Sequence, residues 1–97
     1  MHILSRKKLV EFWNQHADAE GPLKTWYEYA EKADWSMPSD VQKDYGTDVI
    51  LPDNRAVFNI KGNRYRLVVR FNYEKHCIFI RFIGTHSEYN GIDATRI

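Results

Sequence analysis

At Arg55 the spacing of apolar residues in this chain changes from a helical repeat to strict alternation, and that change fixes the order in which secondary structure must be laid out. Upstream, Leu9, Phe12, Trp13 and His16 fall at i, i+3, i+4 and i+7, the spacing of one helical face, with Ser5 as a candidate N-cap. Gly21-Pro22 reads as a break and restart, because proline is preorganised for the start of a helix; Leu23, Trp26, Tyr27 and Ala30 then repeat the pattern. The first third is therefore expected to be a helical hairpin with an acidic outer face of Glu11, Asp18, Glu20, Glu28 and Glu31. Pro38, the capping-box spacing Ser39-x-x-Gln42 and a stop at Gly46 predict one short further helix, followed by a loop through Asp53-Asn54.

Downstream of Arg55 three strands are expected. Ala56, Phe58 and Ile60 share one face of the first, with Val57, Asn59 and Lys61 on the other, and Gly62-Asn63 marks a turn. In the second, Tyr65, Leu67, Val69 and Phe71 oppose Arg64, Arg66, Val68, Arg70 and Asn72. The third places Ile78, Ile80 and Phe82 on its apolar face and Arg81 beside Phe79 and Cys77 on the other. The prediction is a small α/β (α+β) fold, one domain over residues 1–97, with the helical hairpin packed on one face of an antiparallel β-meander.

Charge is distributed as unevenly as periodicity. Arg55, Lys61, Arg64, Arg66, Arg70, Lys75 and Arg81 face a single acid, Glu74, within that stretch, although the whole chain carries a formal net charge of only +1. Alternation would gather Lys61, Arg64, Arg66, Arg70 and Arg81 on the sheet face away from the helices. Interleaved with Tyr65, Phe71, Phe79 and Phe82, these cations read as a surface for a polyanion such as RNA, with Arg55 at its start.

Composition removes several other classes. At 43% hydrophobic and 14% aromatic residues the chain can build a core, and its one cysteine, Cys77, cannot form an internal disulfide, which fits a reducing compartment. Met1–Leu4 is too short to act as a signal sequence, and no apolar run reaches membrane length, so a cytoplasmic protein with no membrane partner is expected. His2, His16, His76, His86 and Cys77 lack zinc-ligand spacing, and no glycine loop precedes a helix in phosphate-binding register. Neither a metal nor a small-molecule cofactor is indicated. Cys77 reads as a small buried hydrophobe rather than a nucleophile.

One constellation could carry chemistry. In Gly84-Thr85-His86-Ser87-Glu88-Tyr89, Thr85 and Glu88 have capping-box spacing, so a short helix would present His86 and Tyr89 on one face, near Arg81. An imidazole can exchange a proton near neutral pH, a phenol beside a cation can be made more acidic, and guanidinium groups bind phosphate oxygens. A metal-free ribonuclease needs a base for the 2′-OH, cations for the charged phosphorane and an acid for the departing 5′ oxygen.

The stretch from Asn54-Arg55-Ala56-Val57-Phe58-Asn59-Ile60-Lys61-Gly62-Asn63-Arg64-Tyr65-Arg66-Leu67-Val68-Val69 to Ile80-Arg81-Phe82-Ile83-Gly84-Thr85-His86-Ser87-Glu88-Tyr89 resembles the HigB-type toxins of bacterial toxin–antitoxin modules, within the RelE-like messenger-RNA endoribonucleases. Met1–Lys8 is similar to their N-termini as well. The resemblance implies an N-terminal strand at Met1–Leu4, two helices and then the meander. It also implies a growth inhibitor that acts on mRNA at the ribosome and its rRNA, and that is held in check by a helix-turn-helix, HigA-type antitoxin. By position, Arg66 resembles the strand arginine that contacts the scissile phosphate, Lys61 a lysine on the preceding strand, and Tyr89 the near-C-terminal tyrosine. His86 stands where many relatives carry arginine, and Asn59 where some carry another lysine.

The expected catalytic set is thus Arg66, His86, Tyr89, Arg81 and Lys61, and the expected RNA contacts are Arg55, Lys61, Arg64, Arg66, Arg70 and Arg81. The rival reading is a non-catalytic RNA-binding or regulatory module, in which the same cations bind RNA while His86 and Tyr89 only cap and stack.

Overall fold

The computed structural model describes all residues, 1–97. Strand β1 (His2–Leu4) leads into helix α1 (Arg6–Gln15), a 3-10 turn (Ala17–Ala19), helix α2 (Glu20–Lys32) and helix α3 (Pro38–Tyr45). A second 3-10 turn (Thr47–Val49) precedes strands β2 (Ile50–Leu51), β3 (Arg55–Ile60), β4 (Tyr65–Asn72) and β5 (Cys77–Thr85), and helix α4 (His86–Asn90) follows. The five strands form one sheet in the order β1-β5-β4-β3-β2. Only the β1/β5 pairing is parallel, so the expected meander β3-β4-β5 gains an edge strand on each side. The expected N-terminal strand, helices and meander are all present.

The helices start differently from the sequence expectation. Ser5 adopts a left-handed conformation (φ 71°) and makes no side-chain cap, because the chain passes from β1 into α1 through this one residue. Gly21 and Pro22 lie inside the first turn of α2, where a proline removes no intrahelical bond; the break itself falls at His16–Ala19. Helix α3 takes Pro38 as its first residue rather than using Ser39 as a cap, and Asp40 instead accepts a hydrogen bond from the Ser36 amide at 2.9 Å. Gly46 does end that helix, with φ 91°.

The inner sheet face and the helices share one core. Leu9 and Trp13 of α1, Leu23, Trp26 and Ala30 of α2, and Val41 of α3 pack against Phe58, Ile60, Leu67, Val69, Ile78 and Ile80. Complete burial of each large aliphatic or aromatic group stabilises the fold by about 1.5–3 kcal/mol. Tyr65 and Phe71 belong to this core, at 6% and 3% exposure, and so are not part of an RNA-stacking surface.

Two features revise the outer face. Val68 pairs with Phe82 while Val69 pairs with Ile80, which leaves Arg81 as the extra residue of a β-bulge. The bulge inverts the alternation beyond it: Phe82 joins the outer face and Ile83 packs against the core, the reverse of unbroken period-two reading. It also sets Gly84, which has no side chain, opposite Arg66. Second, the centre of the outer face is apolar and covered. Val57, Val68 and Ala94 form a buried cluster, with Leu51, Phe82, Tyr89 and Ile97 packed around it. The continuous basic face expected from alternation is therefore split by the folded-back C-terminal segment.

Candidate nucleic-acid and catalytic site

The cations of the basic stretch divide by whether they are already neutralised. Arg55, expected among the RNA contacts, is only 6% exposed: its Nε donates to the Ile97 main-chain oxygen at 2.7 Å and its Nη1 to Asp53 at 2.8 Å. It anchors the tail and is not a surface contact. Arg70 shares Asp53 at 3.3 Å, and Arg64 pairs with Asp18 at 2.7 Å. These bonds hold the Asp53 carboxyl below its usual range, chiefly through the hydrogen bond from Arg55. Lys61, Arg66, Lys75 and Arg81 form no ion pair. Three of these four are the cations assigned to catalysis.

Arg66 projects from the outer face of β4 at the register of Asn59 and Gly84. Its guanidinium lies over the Tyr89 ring, 5.4 Å from the centroid, and its Nε is buried without a hydrogen-bond partner. A buried unpaired donor costs about 1–3 kcal/mol, so this arginine is not placed to maximise stability. Tyr89 is held by α4, whose N-terminus is closed by the capping box read from the sequence. The Glu88 amide donates to Thr85 Oγ1 at 3.1 Å, and the Thr85 amide donates to Glu88 Oε1 at 2.8 Å. The latter bond is the main reason the Glu88 carboxyl lies below its ordinary value.

His86, the first residue of α4, opens on the other side. With Arg64, Asn63 and Ser87 it lines a cleft of about 550 Å³ that also includes His16 and Tyr65. Its Nδ1 is 3.2 Å from the Asn90 side-chain amide. Arg81 is not beside His86 and Tyr89 as expected. It lines a separate cavity of about 580 Å³ with Arg70, Asn54, Tyr73 and Phe79, and two aromatics there, Tyr73 and Phe79, are half-exposed. Lys61 stands in the β3–β4 turn with φ 53° rather than in a strand, and its charge contributes to lowering the Asp18 carboxyl, after the principal effect of the Tyr65 hydroxyl.

The candidate residues thus form three neighbourhoods: Arg66 with Tyr89, His86 with Arg64, and Arg70 with Arg81. His16 was read only as a helical-face residue, and the sequence offered no signal for its place beside His86. Cys77 is half-buried, its Sγ contacting the Lys75 carbonyl at 3.4 Å, rather than fully enclosed. No group of three or more His, Cys, Asp or Glu side chains is arranged to hold a metal ion, and no helix is long and apolar enough to cross a membrane.

No curated protein matches the chain. Residues 19–92 match the family described as HigB toxin, a RelE-like toxic component of a toxin–antitoxin system. That span takes in α2, the meander and the α4 capping box, and the α+β architecture agrees with it. The chain belongs to the HigB family of RelE-like toxins.

Proposed function

We propose that the protein is a metal-independent endoribonuclease that cleaves mRNA on the translating ribosome, and so inhibits translation and growth until an antitoxin binds it. The observation that carries this reading is Arg66: an ion-pair-free guanidinium, seated on an aromatic ring with a buried unpaired donor, next to a helix that supplies a tyrosine and a histidine. A fixed cation of this kind suits the negative charge that develops on a phosphorane. Lys61 adds charge at the neighbouring hairpin. Arg70 and Arg81, which line one cavity with Phe79, would dock ribosomal RNA by charge and stacking. His86 and Tyr89 are the titratable groups of α4 available for proton transfer. The partners are mRNA, rRNA and a helix-turn-helix, HigA-type antitoxin, and the site of action is the cytoplasm.

The test is incubation with translating ribosomes and mapping of RNA ends, with and without chelator. Fragments ending in a 2′,3′-cyclic phosphate or 3′-phosphate, and beginning with 5′-OH, support attack by the 2′-OH. They should form in chelator and fail to form on a strand lacking the 2′-OH. Tight RNA binding with intact message would favour the non-catalytic module instead. Growth restored by co-expression of the adjacent helix-turn-helix protein tests the partner.

A further inference from the structure

The cleft that holds His86 contains a second imidazole from a distant part of the chain. His16 sits just beyond α1, its ring stacked on Phe12 at 4.3 Å and edge-on to Tyr65 at 5.4 Å. Tyr65 is itself fixed: its hydroxyl donates to Asp18 at 2.5 Å, and Asp18 also accepts from Arg64 at 2.7 Å. The aromatic pair and the Asp18 bonds therefore hold His16 and Arg64 on the walls of one cleft, with His86 on α4 completing it. The His86 amide donates to the Arg64 carbonyl at 3.2 Å, which ties the start of α4 to the same wall. His16 is also close enough to α4 for its charge to reach Glu88, whose carboxyl is lowered first by the Thr85 amide, then by the Thr85 side chain and last by His16.

We propose that His16 is a catalytic residue, the proton-transfer partner of His86 in phosphodiester cleavage. This rests on the nuclease reading above. Cleavage by a ribose 2′-OH needs two such groups. As the 2′-oxygen bonds to phosphorus, its proton passes to one neutral imidazole. As the bond from phosphorus to the 5′ oxygen breaks, the other imidazolium gives its proton to that oxygen. The products are a 2′,3′-cyclic phosphate and a 5′-OH, and exchange with water resets both rings. Imidazole is the side chain suited to both accepting and giving up a proton near neutral pH, so a pair of them fits a reaction that needs one base and one acid, whereas a phenol is matched less well. Arg64, held in place by its ion pair with Asp18, lines the same cleft. Tyr89, whose ring lies under Arg66, is then a positioning residue. Arg64, Tyr65 and His86 share the cleft with His16, Asp18 holds Arg64 and Tyr65 beside it, and Glu88 lies within reach of the His16 charge.

The test uses the full chain on pre-formed translating ribosome complexes, under single-turnover conditions across a pH series. His16→Phe keeps an aromatic ring for Phe12 and Tyr65 but cannot transfer a proton. It should retain the parent's melting temperature, cleave on the order of 10²- to 10⁴-fold more slowly, and lose one limb of a two-limbed pH profile. The double variant with His86→Ala should be little slower than the worse single variant, since two groups acting as a unit are not additive. Parent-like cleavage by His16→Phe, or slowed cleavage that keeps both limbs, overturns the assignment while leaving the nuclease standing. Failure of the parent to cleave overturns both. If His16→Phe does not fold, His16→Gln carries the same comparison.

Discussion

Replacing Arg66 by methionine should separate stability from activity. The substitution keeps a long, flexible side chain of similar reach but removes the charge and every donor. On the folding side, the buried Nε without a partner costs about 1–3 kcal/mol in the parent, and the cation–π contact with Tyr89 returns about 0.5–1 kcal/mol. The variant should therefore be as stable as the parent or more stable, by up to about 2.5 kcal/mol. For a domain of this size each kcal/mol moves the melting temperature by about 4–8 °C. On the catalytic side, loss of one preorganised charge stabiliser should lower cleavage by roughly 10²- to 10³-fold, equivalent to about 2.7–4 kcal/mol of transition-state stabilisation. Thermal unfolding and single-turnover cleavage on translating ribosomes measure the two effects on the same preparation. A clear drop in melting temperature would show that Arg66 is a structural residue. A parent-like rate in the folded variant would remove it from the site.

Gly84→Ala would set a Cβ 2.5 Å from Phe82 Cζ and 3.0 Å from Glu88 Oε1; the forced shift should cost about 1–3 kcal/mol in a denaturant titration, and an unchanged midpoint would contradict the close approach. Tyr89→Phe keeps the ring under Arg66 and should cleave near the parent rate, whereas Tyr89→Ala should not; a large loss in Tyr89→Phe would return the proton role to the phenol. Asp18, held below its ordinary value of 3.8 by the Tyr65 hydroxyl and then Arg64, should stabilise the fold fully above that value and lose its contribution as pH falls through the lower folded value. The stability difference between parent and Asp18→Asn should accordingly narrow in acid, as read from urea midpoints, and a gap independent of pH would refute the linkage.

What was legible in the sequence was what is decided locally. The change of apolar period at Arg55 set the order of helices and strands, because side-chain direction follows backbone geometry residue by residue. The Thr85 and Glu88 capping box was visible for the same reason, since both of its bonds close within three positions. Caps that depend on how the chain arrives were not: the direct passage from β1 to α1 turned Ser5 left-handed, and the start at Pro38 displaced Ser39. The resemblance in the Asn54–Tyr89 region pointed to the family and to Arg66, Lys61 and Tyr89 as residues to inspect. Tertiary structure decided which cations are free and which side chains meet. Alternation cannot reveal the extra residue at Arg81, because a bulge is a property of two paired strands, and it inverted every face assignment after it. Composition counted Arg55 as part of a basic surface, but the tail that folds over Val57 and Val68 buries it. His16 and His86 are far apart in sequence, one just beyond α1 and the other at the start of α4; only the packing of α1 against the end of the sheet brings their rings to one cleft.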